Sequence, residues 1–437
     1  MGKISFYLAM LAGKTASALL KLLGRNASYL PGKVALTICK DFMGRLTLPK
    51  TVICVTGTNG KTTVSNLLTG MLRECGYTVT NNSLGSNVQA GVCTALLDDA
   101  TFGGTIRKDV AVLEIDERSS LLIYPYIHPT YLVCNNIMRD SIKRNAHTDF
   151  ISFILNKAIP ADTKLILNAD DIICAHLAPQ CQDRTYFGIS ADAPESDALP
   201  FLREIVYCPD CSYQTPEPDF VVSRIDEEAN TFTVTHGGES HDFALINRNI
   251  TNLYNFCGAI TVLSLFGLSY EQLRDAFAGA KIVKSRYDEI TVGDHKLTVI
   301  LAKGQNPIAC SGVIRYAAGC PGEGKNLLIS LDDIGDNHNN SENVSWVFDT
   351  DYAPLADDSI AKVIFIGKRC HDYYLRALMA GVPEDRLFAL ETWQQGVDAI
   401  DLSVCKDVYL LYDPYRGAEE RQIQNCLVSR MKGDAEK

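Results

Sequence analysis

The residues best suited to chemistry stand together at Thr56-Gly57-Thr58-Asn59-Gly60-Lys61-Thr62-Thr63. They follow a β-branched run at 51–55. They open a stretch, 61–75, whose apolar Val64, Leu67, Leu68, Met71 and Leu72 fall on one helical face. Glycines at 57 and 60 let backbone N–H groups curl around phosphate oxygens, and a helix N-terminus adds partial positive charge. Lys61 can reach the terminal phosphates of a nucleoside triphosphate, and the Thr62 hydroxyl can bind Mg²⁺. The spacing is G-x-x-G-K-T, with Val55 where the longer G-x-x-x-x-G-K-[ST] pattern has its first glycine. An incidental lysine on a glycine turn would not need this strand–turn–helix setting.

Acidic and polar residues end the neighbouring strands. Glu114 closes VAVLEID (110–116), where a carboxylate can hold Mg²⁺ beside the loop, with Asp116 and Glu117 near enough to assist. The plainer alternative is an acid capping the next helix. Asn136, Arg139 and Asp140 follow the run at 131–136. An arginine there can stabilise charge on a transferring phosphoryl group, or simply form a surface ion pair. Asn168, Asp170 and Asp171 close the run at 164–171, and Asn255 lies on an apolar helix, 253–268.

Strands at 51–55, 110–116, 131–136 and 164–171 alternating with helical stretches predict a mostly parallel sheet, whose ligands gather at the strand C-termini. Residues 190–222 break the pattern and read as an insertion containing Cys208-Pro-Asp-Cys211; Cys174 and Cys181, before it, read as core helix. Residues 224–246 read as a β-hairpin. From about 284 a second α/β unit begins, with candidate strands KLTVILA, NLLISLDD, KVIFIG and DVYLLYD. The organisation read from this is 1–49, a basic amphipathic segment; 50–283, an ATP-binding domain; and 284–437, a C-terminal α/β domain.

The net charge of −11 argues against general nucleic-acid binding. Residues 1–50 nevertheless carry +7, leaving −18 for the rest. No apolar run reaches the roughly 18–20 residues of a membrane span. SFYLAMLAG, followed by Lys14 and Lys21, reads as an amphipathic basic helix that either packs on the first domain or docks on an anionic membrane surface. Fifteen scattered cysteines in apolar settings suit a reduced cytoplasmic protein.

TGTNGKTT resembles the phosphate loop of the Mur ligase superfamily, and within it the MurT-type ligases. LPGKVAL (30–36), LEIDE (113–117), NNIMRD (135–140), LNADD (167–171), LYNFCGAITVL (253–263) and VSWVFDTDY (344–352) carry the likeness across most of 15–352. The resemblance implies an α/β fold: a Mur ligase-type P-loop ATPase domain with a mostly parallel sheet, plus a C-terminal α/β domain. It implies ATP and Mg²⁺, with Gly57 to Thr63, Asn136, Arg139, Asn168 and Asn255 around the nucleotide, and Thr62 and Glu114 on the metal. The implied catalytic set is Lys61, Glu114 and Asp349. Asp349 would complete a split triad in a GatD-like glutamine amidotransferase subunit, with Trp346 and Phe348 as interface anchors. The implied activity is ATP-dependent amidation of the α-carboxylate of D-glutamate in lipid II to D-isoglutamine, through an acyl phosphate and with ammonia from that subunit. This places the protein in the cytoplasm, at the inner membrane face, with no nucleic-acid partner.

Departures from the pattern lie in the C-terminal domain, at Leu331-Asp332-Asp333, Gly304-Gln305-Asn306-Pro307 and Ser285-Arg286-Tyr287-Asp288-Glu289. They bear on the substrate more than on ATP chemistry. They leave open a folylpolyglutamate synthase-like amide ligase, and a nucleotide-binding paralogue that has lost turnover. MurT-type chains have two CxxC knuckles for zinc. Here only Cys208 and Cys211 remain, and two thiolates do not fill a tetrahedral site, so the insert reads as a degenerate ribbon.

Overall fold

A computed structural model describes residues 3–83, 86–140, 147–190, 211–226, 228–246, 250–280, 287–332, 345–413 and 417–435. The chain divides into two compact units: residues 1–138 with 147–283, and residues 139–146 with 284–437.

The first unit holds helices α1 (Lys3–Leu22), α2 (Leu30–Ile38), α3 (Lys61–Glu74), α4 (Gln89–Asp99), α5 (Ser120–Ile123), α6 (Thr148–Ala158), α7 (Ile172–Ala175), α8 (Ile250–Phe266) and α9 (Tyr270–Gly279). Its strands are β1 (Thr51–Thr56), β2 (Val79–Asn81), β3 (Val110–Glu114), β4 (Tyr131–Cys134), β5 (Lys164–Asn168), β6 (Arg184–Ile189), β7 (Phe220–Asp226), β8 (Thr231–His236) and β9 (Glu239–Ala244). They form one sheet in the order β2-β3-β1-β4-β5-β6-β7-β8-β9. Every pairing from β2 to β7 is parallel, and β8 and β9 add antiparallel. Alternation along β1 sorts the core: Ile53 and Val55 join the cluster of α3 and α8, while Val52 and Cys54 join that of α1, α2 and α4. Burial on both faces is why β1, β3 and β4 are continuous apolar runs.

The basic segment at the start of the chain belongs to this unit. Phe6, Ala9, Met10 and Gly13 of α1 are buried, with Phe6 stacked on Phe42 at 5.2 Å. The hairpin expected at 224–246 is β8–β9, turned by Gly237 and Gly238 at positive φ. Two expectations shift. Phe220–Val222, placed in the insertion, pair with β6 as part of β7. Helix α7 ends at Ala175, so Cys181 is a buried loop residue and not part of a helix with Cys174.

The second unit holds β10 (Tyr287–Val292), β11 (His295–Leu301), β12 (Lys325–Ser330), β13 (Ile360–Ile366), β14 (Leu387–Leu390) and β15 (Asp407–Tyr412), in the order β10-β11-β15-β12-β13-β14. Only the edge strand β10 is antiparallel. Helices α10 (Pro307–Gly319), α11 (Trp346–Asp349), α12 (Cys370–Met379), α13 (Trp393–Asp398) and α14 (Gly417–Ala435) complete it. The fourteen described cysteines are free thiols. Among the described residues, no helix is long and apolar enough to cross a membrane.

Candidate active site

Strand β1 lies between β3 and β4, so the chain leaves it in one direction for β3 and β2, and β4 begins the other half of the sheet. The crevice at the C-terminal end of such a strand is where open α/β sheets bind ligands. Residues 57–60 turn there and α3 begins at Lys61.

The turn needs its glycines. Gly57 and Gly60 have φ of 115° and 87°. A Cβ on Gly60 would also collide with the Asn255 and Asn135 side chains. Among the described residues no side chain caps α3, so the N–H groups of its first turn are left for an anion to accept from.

Residues after β4 hold the loop in shape. Asn59 N–H donates to Asn136 Oδ1 at 2.9 Å, and Asn136 Nδ2 returns to Asn59 O at 3.3 Å. Thr58 N–H donates to Asn136 O at 2.9 Å, and Met138 N–H to Thr58 Oγ1 at 2.8 Å. Asn136, expected at the nucleotide, thus spends its amide on the backbone of the phosphate loop. Asn168 is fully buried and likewise committed: Nδ2 donates to Asn135 O at 2.9 Å and Oδ1 accepts from Asp170 N–H at 3.0 Å. Asn255 Oδ1 accepts from Asn135 Nδ2, which ties α8 beneath Gly60. Asn135 Oδ1 is buried without a hydrogen-bond partner among the described residues.

The lysine has a partner that strand-end reading ranked second. Lys61 Nζ donates to Glu117 Oε1 at 2.7 Å and to the carbonyl of Gly57. Burial pulls the Lys61 ammonium's pKa down, but Glu117, Glu114 and Asp116 together push it above its ordinary value, so it stays charged. Asp116 Oδ1 accepts from Arg118 and Ser119 N–H and caps the turn that presents Glu117. The capping role weighed for Glu114 therefore falls to Asp116.

Glu114 is half-buried at the end of β3, and its Oε1 accepts from Asn87 Nδ2 at 2.9 Å. Asn82, after β2, brackets its backbone, with Oδ1 accepting from Glu114 N–H and Nδ2 donating to Glu114 O. These two asparagines were not singled out from the sequence. Only the β2–β3 neighbour relation brings them to Glu114. Thr62 and Thr63 lie at the start of α3, with Thr62 exposed.

In the second unit, Arg139 pairs with Asp349 at 2.7 Å. Phe348 is half exposed, but Trp346 is buried among Gly304, Leu331 and Tyr373. Trp346 is therefore a core residue and not the exposed anchor its sequence setting suggested. Cys208 lies outside the described residues. Cys211 is exposed, with Sγ 3.9 Å from His176 Nδ1. Among the described residues, no group of three His, Cys, Asp or Glu is placed to hold a metal.

Residues 303–414 match the MurT ligase C-terminal family. The subunit MurT of lipid II isoglutaminyl synthase (glutamine-hydrolyzing) from Streptococcus pneumoniae is 26% identical, over 92% of this chain and 93% of that one. Among solved structures, MurF from Acinetobacter baumannii superposes with a TM-score of 0.67 at 15% identity, over 91% of this chain and 80% of that one. MurF ligase from Thermotoga maritima in complex with ADP gives a TM-score of 0.62 at 13% identity, over 92% and 85%. With a phosphate loop at the switch point of a parallel sheet and a second α/β unit, the chain has a Mur ligase-type fold, similar to a class of ATP-dependent ligases. In sequence the chain is MurT-like.

Proposed function

We propose that the protein amidates the α-carboxylate of D-glutamate in the lipid II stem peptide, giving D-isoglutamine, with ammonia supplied by a GatD-type glutaminase subunit. The observation that carries the chemistry is the glycine turn at 57–60, locked by Asn136 and opening an uncapped helix at Lys61. The relative from Streptococcus pneumoniae, matched over nearly its full length, supports the substrate and the glutamine-hydrolysing partner.

The turn and the first N–H groups of α3 fit the phosphates of ATP, and Lys61 would hold the charge of the terminal group. A carboxylate oxygen of the substrate attacks the γ-phosphorus, and ADP leaves. Ammonia then attacks the acyl carbon, and phosphate departs. Thr62 and Glu114 fit Mg²⁺: a hydroxyl and one carboxylate are the hard oxygen donors it takes when phosphates and water fill the rest of its shell. That ion would neutralise charge on the phosphates as the γ-group moves. Asn82 and Asn87 orient Glu114 for the task.

Asp349 would orient the partner's histidine from the surface of the second unit. Acting on lipid II, the protein would work at the inner face of the membrane.

The test incubates the chain with lipid II, MgATP and either ammonium, free amino acids, or glutamine plus the glutaminase subunit. ADP formation that requires lipid II, with conversion of one carboxyl to an amide, is the expected result. Transfer of an amino acid in place of ammonia would instead establish the folylpolyglutamate synthase-like reading.

A further inference from the structure

Helix α1 is apolar on two opposite faces. The face of Phe6, Ala9, Met10 and Gly13 is buried in the first unit. At 3.6 residues per turn, Ile4, Tyr7, Leu8, Leu11, Leu19 and Leu22 share the other side. All six are exposed, from 53% for Tyr7 to 83% for Leu22. Thr15 and Ala18, also exposed, continue the same line. A helix resting on a protein core ordinarily turns charged residues outward. This one instead lays an apolar stripe along about 30 Å of its length, 20 residues at about 1.5 Å each. An exposed apolar surface of that extent marks an interaction site.

Charge selects the occupant. No acid precedes Asp41 in the chain, and residues 1–50 carry +7 within a protein of net charge −11. Lys14 and Lys21 are engaged at Asp98, through its main-chain oxygen and its carboxylate respectively. Lys3, flanking the stripe, and Arg25, just past its end, are exposed. Two copies meeting through this face would bring like charges together, whereas an anionic lipid surface accepts both the cations and the leucines.

We propose that the outer face of α1 docks on an anionic bilayer, with the leucines in the boundary below the headgroups and the cations among them. This surface is separate from the phosphate loop, so its test does not depend on the ligase reading.

The full chain is floated with vesicles of phosphatidylcholine alone, and of phosphatidylcholine mixed with phosphatidylglycerol. The expected result is binding to the mixed vesicles only, weakened by salt. L8S/L11S should reduce it roughly tenfold or more, since two leucines leave the bilayer. K3E/R25E should reduce it as well. Both variants should keep the wild-type circular dichroism and nucleotide binding, since every altered side chain is exposed. Failure of the wild type to bind mixed vesicles would overturn the proposal, as would equal binding by L8S/L11S. So would a concentration-dependent dimer that L8S/L11S dissociates while no vesicles bind.

Discussion

Lys61 Nζ lies 2.7 Å from Glu117 Oε1, and the pair is nearly enclosed, the side chains being 13% and 1% exposed. The phosphate-loop lysine thus rests on a carboxylate of its own fold, three residues beyond the proposed metal ligand Glu114. A triphosphate would have to exchange partners with Glu117 to engage Lys61.

Glu117→Gln should accordingly destabilise the protein, by about 3 kcal/mol, because it leaves a buried ammonium without its counter-charge. The folded-state pKa of Lys61 is raised, so the stabilisation from its charge is present below the ordinary lysine value of 10.5 and lost only as pH climbs through the higher folded value. The deficit should therefore persist throughout the neutral range. MgATP should restore more of the melting temperature in the variant than it adds to the wild type, because phosphate replaces the missing charge. Thermal unfolding with and without nucleotide measures both.

Asp171 gives the reverse kind of pH effect. Burial pushes its carboxyl up to about 6, against the N–H groups of Ile137, Cys174 and Ile173, which pull it down. The folded state then holds a proton that the unfolded state has released between pH 3.8 and about 6. Stability attributable to Asp171 is full below 3.8 and falls as pH rises through about 6, by roughly 3 kcal/mol for a shift of about two units. Asp171→Asn should show none of this fall, so its stability relative to wild type should improve across that window. Urea unfolding at both ends of the window checks it.

Gly60→Ala should abolish nucleotide binding. Its φ of 87° disfavours any side chain, and the new methyl meets Asn255 and Asn135. The strain of a left-handed alanine alone is worth about 1–2 kcal/mol. Relief of the clash would distort the turn that gathers the N–H groups. Titration with MgATP reads the loss.

Asp349→Ala should separate the two proposed half-reactions. Its pair with Arg139 is more than a third exposed on both sides and contributes little, about 0–1 kcal/mol. The melting temperature and ammonium-dependent amidation should stay near wild type, while glutamine-dependent amidation with the glutaminase subunit is lost. Retention of the glutamine-dependent rate would remove Asp349 from the proposed triad.

The first sheet was largely legible because its central strands are buried on both faces and read as unbroken β-branched runs beside a local motif. Strands β10 and β14 were not. Tyr287–Val292 is an edge strand carrying Asp288 and Glu289, and Leu387–Leu390 spans four residues, too short for any period to show. The site was legible as residue types but not as bonds. The family resemblance put Asn136 and Asn168 around the nucleotide, yet the amides of both bond to backbone groups of this chain. The choice of Glu117 over Glu114 by Lys61 depends on a turn capped by Asp116. Trp346 looked like an interface anchor in sequence, but packing under Gly304 buries it.

If the turn at 56–63 binds ATP through Lys61, calorimetric titration with MgATP should show saturable binding by the wild type and at least a tenfold loss in Lys61→Ala, the weight of a charge-assisted contact to phosphate. Equal affinity in the two proteins would mean that Lys61 does not hold the nucleotide.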